Sequence, residues 1–175
     1  MERAAQWFGV AVLVFLTWRF ARAPLDETAL DSFLHLPNLV FHEAGHVLFS
    51  AFGRFMTVLG GSLLQVLVPV ICAATFLYQQ HDRFAAAVCT WWAGQNLVDL
   101  APYIADARQL KLVLLGGRTG AEVEGHDWEY LLASLGWLHL DHTLGRTAQL
   151  AGTLVMVCAL AWAIATLVRR RDELR

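Results

Sequence analysis

Apolar runs separated by short clusters of charge set the pattern of this chain. The first uncharged run covers residues 4–18 and is followed by Arg19 and Arg22. A second, over about 32–52, holds a single charged residue, Glu43. The 26 residues from 55 to 80 carry no formal charge, a fourth run covers 84–98, and the last covers 147–168 before Arg169-Arg170-Arg171. About 20 apolar residues in a helix cross a hydrocarbon core about 30 Å thick. The pattern therefore predicts an all-α, polytopic membrane protein with about five spans, at roughly 4–20, 32–52, 57–78, 84–100 and 147–168. No repeat, low-complexity tract or linker divides the chain, which reads as one membrane-embedded domain over 1–175.

The segments between the runs refine this picture. Ala21-Arg22-Ala23 has the form of a signal-peptidase site, but arginines between it and the apolar run favour a retained first span. Residues 23–31, with Asp26, Glu27 and Asp31, read as a short exposed connection. Pro37 either sits in the first turn of the second span or kinks it. Gly60-Gly61-Ser62 and Pro69 leave the third run open to a tilted helix or to an extended, re-entrant piece. Residues 107–146 form the one substantial extramembrane segment. Within it Trp128, Leu131, Leu132 and Leu135 recur at helical spacing, predicting a short amphipathic helix capped by Asp127. The arginine triplet favours a cytoplasmic C-terminus, although the other loop charges bias the orientation only weakly.

Composition agrees. A 57% hydrophobic, 16% charged chain with mean hydropathy +0.48 is too apolar for an ordinary soluble domain. A net charge of -2, with no basic cluster before the C-terminal tail, excludes a nucleic-acid partner. Cys72, Cys89 and Cys158 lie in apolar runs without C-x-x-C spacing and read as buried hydrophobes, neither disulfide-bonded nor metal-ligating.

The candidate chemistry centres on His42-Glu43-Ala44-Gly45-His46, an H-E-x-x-H motif. Imidazoles at i and i+4 leave the same face of a helix, where both can bind one Zn²⁺ while the intervening glutamate holds a water. An unpaired carboxylate at membrane depth costs about 2–3 kcal/mol or more, which a metal would offset. Gly45 allows a neighbouring helix or a substrate strand to approach closely. His35, two turns earlier, reads as an interfacial or hydrogen-bonded histidine. Asp99 and Asp106 flank Pro102 at the end of the fourth run, either as site carboxylates or as boundary markers with Asp106 paired to Arg108. His126 either reaches the metal from outside the span or is a surface histidine.

These residues resemble the site-2-protease group of intramembrane zinc metalloproteases, and small bacterial membrane proteins related to it. That group joins H-E-x-x-H to a later N-x-x-P-x-P-x-L-D-G motif. Here Asp99-Leu100-Ala101-Pro102-Tyr103-Ile104-Ala105-Asp106 stands in its place, with aspartate for the asparagine, no second proline, Ala107 for the glycine and one residue fewer between proline and aspartate. The matched pieces cover roughly residues 34–108. The resemblance implies an integral protein of the bacterial inner membrane that cleaves membrane-protein or peptide substrates in or near the lipid bilayer. It implies His42, His46 and Asp106 as zinc ligands, with His126 as the rival third ligand, and Glu43 as general base. Asn96 and Asp99 would orient the substrate backbone. A structural or inactive metal-binding scaffold, or a zinc hydrolase of a non-peptide substrate, are the other readings of the same residues.

Overall fold

The computed structural model describes residues 2–25, 32–123 and 125–172, and is helical almost throughout. The connection expected at 23–31 falls largely outside these residues, as does Glu124. Six α-helices follow in order: α1 Glu2–Ala21, α2 His35–Phe49, α3 Arg54–Tyr78, α4 Arg83–Ala105, α5 Asp127–Ser134 and α6 Asp141–Asp172. Single 3-10 turns lie at Ser50–Phe52 and Leu138–Leu140. Among the described residues, three helical stretches are long and apolar enough to cross a membrane: Arg3–Ala21, Arg54–Tyr78 and Leu138–Arg169. Helix α2, with 15 residues, is about 22 Å long, shorter than a hydrocarbon core. Helix α4 has the length, but Gln95, Asn96 and Asp99 interrupt its apolar character.

That polarity is tolerated because α4 is enclosed. From Ala93 to Ala105 only Leu97 and Tyr103 escape full burial. Small residues let α6 come close: a Cβ on Gly94 would lie 2.7 Å from the Gly152 carbonyl oxygen, and one on Gly145 would lie 2.7 Å from that of Ala101. On another side, Leu16 and Phe20 of α1 pack with Trp91, Val98, Met156 and Ala159. The Trp91 indole donates to Thr17 Oγ1 at 2.7 Å, satisfying its N–H within that apolar contact. By contrast Phe8, Phe15, Leu36, Val40, Val47, Leu150 and Leu154 face outward. A surface this apolar fits a lipid environment.

Two local expectations are resolved. Pro37 falls in the first turn of α2, where a missing N–H leaves no helical hydrogen bond unmade. Gly60-Gly61-Ser62 is neither extended nor re-entrant: α3 runs through it, and all three residues are buried. The glycines serve helix packing. A Cβ on Gly45 would strike the Gly60 carbonyl, lying 2.6 Å from its carbon, so α2 and α3 touch backbone to backbone here.

Candidate metal centre

His42 and His46 sit on the side of α2 that faces α3 and the start of α5. Each ring is fixed through Nδ1. His42 Nδ1 lies 2.9 Å from Gln65 Oε1, and His46 Nδ1 lies 2.9 Å from the Thr57 carbonyl. Both partners are acceptors, because the Gln65 amide nitrogen already donates to Asp99. The Nδ1 atoms therefore carry protons, and each ring turns its Nε2 to the interior.

Those two nitrogens converge on one oxygen. Asp127 Oδ2 lies 2.9 Å from His42 Nε2 and 3.2 Å from His46 Nε2. One atom from each of the three residues falls within 4.8 Å of the others, the one such group among the described residues. Two imidazole nitrogens and a carboxylate oxygen aimed at one another require either protonated rings or a cation between them. Ligand bonds of about 2.0–2.1 Å in a tetrahedral shell put neighbouring ligand atoms about 3.3 Å apart, close to the separations here. The residues fit a divalent ion. Gly61 completes the enclosure, since a Cβ there would lie 2.6 Å from His46 Nε2 and 2.7 Å from His42 Nε2.

The carboxylate at the imidazoles is thus Asp127, which sequence reasoning assigned to capping, and neither Asp106 nor His126. The cap of α5 is instead His126, whose Nδ1 accepts the Glu129 N–H at 3.1 Å. This puts its proton on Nε2, which faces Asp106 Oδ2 at 3.5 Å. Asp106 in turn accepts the Lys111 and Leu112 amides at 3.0 and 2.9 Å. The alternative pairing of Asp106 with Arg108 is not formed either, because Arg108 binds Asp141 at 2.7 and 2.8 Å. Both rival third ligands are committed to tying down the loop that leads to Asp127. Tyr103 adds to this by accepting the Asp127 N–H at 2.9 Å, and Arg54 stacks 4.6 Å over the Tyr130 ring to hold α5 on α3.

Electrostatics follow the same division. Burial alone would raise the Asp127 carboxyl, but hydrogen bonds from His42 and His46 outweigh it and hold the group below the ordinary carboxylate range. For His126, burial is the largest influence and lowers the imidazole below its usual value despite the Asp106 and Asp127 carboxylates nearby. A neutral His126 is what its capping role requires.

A cavity of about 400 Å³ opens onto the group, lined by His35, Glu43, Asp99, Tyr103 and the 112–115 segment among others. Glu43 is exposed to it and forms no hydrogen bond with the described residues. Asp99 also reaches the wall, but its carboxylate is occupied. It accepts from Asn38 Nδ2 at 3.2 Å and Gln65 Nε2 at 3.1 Å, and pairs with His35 Nδ1 at 3.1 Å. His35 is accordingly a hydrogen-bonded histidine, of the kind expected. Asn96 is fully buried and donates to the Trp92 carbonyl at 2.9 Å, which takes it out of reach of a substrate.

One chain of contacts runs Asp99, Gln65, His42. Outer partners of this type change metal affinity by about 10–100-fold. Gln65→Met, which keeps the volume and removes the acceptor, is expected to weaken metal binding by about that factor in a chelator competition. Unchanged affinity would show that the His42 ring is held by packing alone.

Fold and site together define a class: a helical protein with membrane-type helices and a possible His-His-Asp metal-binding cluster at a cavity beside them. No protein-family model, curated protein or solved structure matches the chain.

Proposed function

We propose that the chain is a membrane-embedded zinc-dependent endopeptidase, with His42, His46 and Asp127 as ligands and Glu43 as general base. The convergence of both Nε2 atoms on Asp127 Oδ2, with both Nδ1 protons turned outward, carries this reading. It retains the site-2-protease resemblance of the H-E-x-x-H helix and replaces its third ligand. When bound, zinc would supply Lewis acidity, polarising a substrate carbonyl and making water a better nucleophile. Glu43, adjacent to His42 and open to the cavity, takes a proton from the attacking water and returns it to the leaving amine. The substrates are peptide segments of membrane proteins at the bilayer, here the bacterial inner membrane. In this reading α2 and α4 lie at membrane depth with the three longer helices, making five membrane segments. The outward Leu36, Val40 and Val47 of α2 would face lipid.

Glu43→Gln separates this function from a structural metal site. The variant is expected to keep stoichiometric zinc in detergent, read by elemental analysis, and to lose at least a hundredfold in cleavage of reconstituted membrane peptides. A variant that cleaves as the parent does would rule Glu43 out as the base. Cleavage of ester lipids but not peptides by the parent protein would move the reading to a non-peptide hydrolase.

A further inference from the structure

We propose that the hairpin of residues 111–118 lies in the headgroup layer of the bilayer, with Val113 and Leu115 seated among lipid and Lys111 and Arg118 set against anionic headgroups. The proposal rests on the reading above that α2 lies at membrane depth, and gives one part of the loop segment a lipid partner.

Local structure comes first. Leu114 donates to the Arg118 carbonyl at 2.8 Å, and Gly117 donates to that of Leu114 at 3.0 Å. The β-turn so closed has Leu115 and Gly116 at its centre, the latter at a φ of +106° that suits glycine. Val113 faces Thr119 across a single antiparallel bridge. Leu112 is buried, whereas Val113 and Leu115 are 56% and 70% exposed, so two apolar side chains stand out from the tip. The base of the hairpin is pinned by the Lys111 and Leu112 amides on Asp106.

Position brings this tip to the lipid. Residues 112–115 share the cavity with His35, Leu39 and Glu43 of α2. The hairpin therefore stands level with the turns that carry Leu36 and Val40, each 66% exposed on the outer side of α2. With those side chains facing lipid, Val113 and Leu115 meet it at the same depth. Charge agrees, because Lys111 and Arg118 are exposed on either side of the apolar pair and have no carboxylate partner among the described residues. Glu122 is turned to the Thr119 amide and hydroxyl instead. Cations flanking an apolar tip are drawn to an anionic interface.

The backbone fixes how deep the hairpin can go. At the bridge, the hydrogen bond to Arg118 comes from the residue after Val113, so Val113's own N–H and C=O point away from Thr119. An open edge of this kind does not occur in hydrocarbon. The hairpin therefore stops in the headgroup layer, where water and phosphate oxygens reach it.

Nitroxide labels locate both segments. Leu115→Cys, Val40→Cys and, as an aqueous reference in the exposed α3–α4 turn, Gln80→Cys are made singly in a full-length chain with Cys72, Cys89 and Cys158 changed to alanine. Each is reconstituted in phosphatidylcholine nanodiscs with or without phosphatidylglycerol, and collisions with oxygen and with a water-soluble nickel chelate are measured by electron paramagnetic resonance. With phosphatidylglycerol present, the oxygen-to-nickel ratio at 115 is expected to be severalfold above that at 80. It is expected to fall when phosphatidylglycerol is omitted, or when Lys111→Gln and Arg118→Gln are combined. A ratio at 115 equal to that at 80, with 40 in lipid, overturns the hairpin assignment alone. A ratio at 40 equal to that at 80 overturns the membrane depth of α2 and this assignment with it. A high ratio at 115 that is indifferent to both changes overturns the headgroup contact. The parent chain gives a reading free of any substitution: amide exchange over 111–118 is expected to slow severalfold when phosphatidylglycerol is added, and an unchanged rate overturns the proposal even where the labelled variants fail to fold.

Discussion

Asp127→Ala is expected to lower zinc affinity by roughly two to three orders of magnitude. A zinc shell of three or four protein ligands yields about 10–16 kcal/mol in favourable cases. Each ligand then contributes about 3–4 kcal/mol, at about 1.4 kcal/mol per tenfold. Asp106→Asn provides the contrast. It removes one acceptor from the Lys111 and Leu112 amides and a carboxylate charge from beside His126, but no atom from the group at the two imidazoles. Its expected effect is about 1–2 kcal/mol of stability and less than tenfold in zinc affinity. Competition against a chromophoric chelator, alongside thermal unfolding in detergent, reads both quantities. The reverse ranking, with zinc lost from Asp106→Asn and retained by Asp127→Ala, would restore the third ligand implied by the family resemblance.

The second large effect comes from two glycines with no side chain to lose. Gly61→Ala inserts a methyl at 2.6 and 2.7 Å from the two Nε2 atoms, distances that real Cβ atoms do not adopt. The rings cannot turn away easily, because Gln65 and Thr57 hold their Nδ1 atoms. Zinc affinity is expected to fall at least a hundredfold while helicity by circular dichroism is retained. Gly45→Ala acts on the fold, driving a methyl into the Gly60 backbone and the Gly61 Cα at 2.9 Å. Overpacking against rigid backbone costs about 3 kcal/mol or more, seen as lower thermal stability and a broadened size-exclusion peak. A Gly61→Ala protein with stoichiometric, tightly held zinc would show that the imidazoles meet somewhere other than against α3.

The two variants separate what each glycine does. Gly45 and Gly60 set how close α2 and α3 come, and Gly61 leaves the space in which the Nε2 atoms stand. Glycine at 45 was open to two uses from sequence, a close helix or a substrate strand. The structure decides for the helix at this position, because the Gly60 carbonyl already occupies the space where a strand would pass.

The all-helical fold and the pairing of His42 with His46 were legible in the sequence because both are local. An apolar run states its own helix, and a four-residue spacing fixes two side chains on one face whatever the rest of the chain does. The third carboxylate is not local. Asp127 follows His46 by more than eighty residues and reaches it only because the 106–126 loop folds back along the cavity, drawn in by Asp106, His126 and Tyr103. From sequence, Asp127 offered one legible signal, a helix start, and it assigned the cap to the wrong member of the His126-Asp127 pair. With His126 taking the Glu129 amide, Asp127 stands in the first turn with its carboxylate free to face the imidazoles. Polar Asp99 likewise looked like a substrate or boundary residue until Asn38, Gln65 and His35 closed around it. The sequence by itself determined which segments are helical and which two imidazoles act together, since periodicity is a property of neighbours. Only the tertiary structure decided which carboxylate faces them, because that depends on how a loop closes and on which hydrogen bonds hold it there.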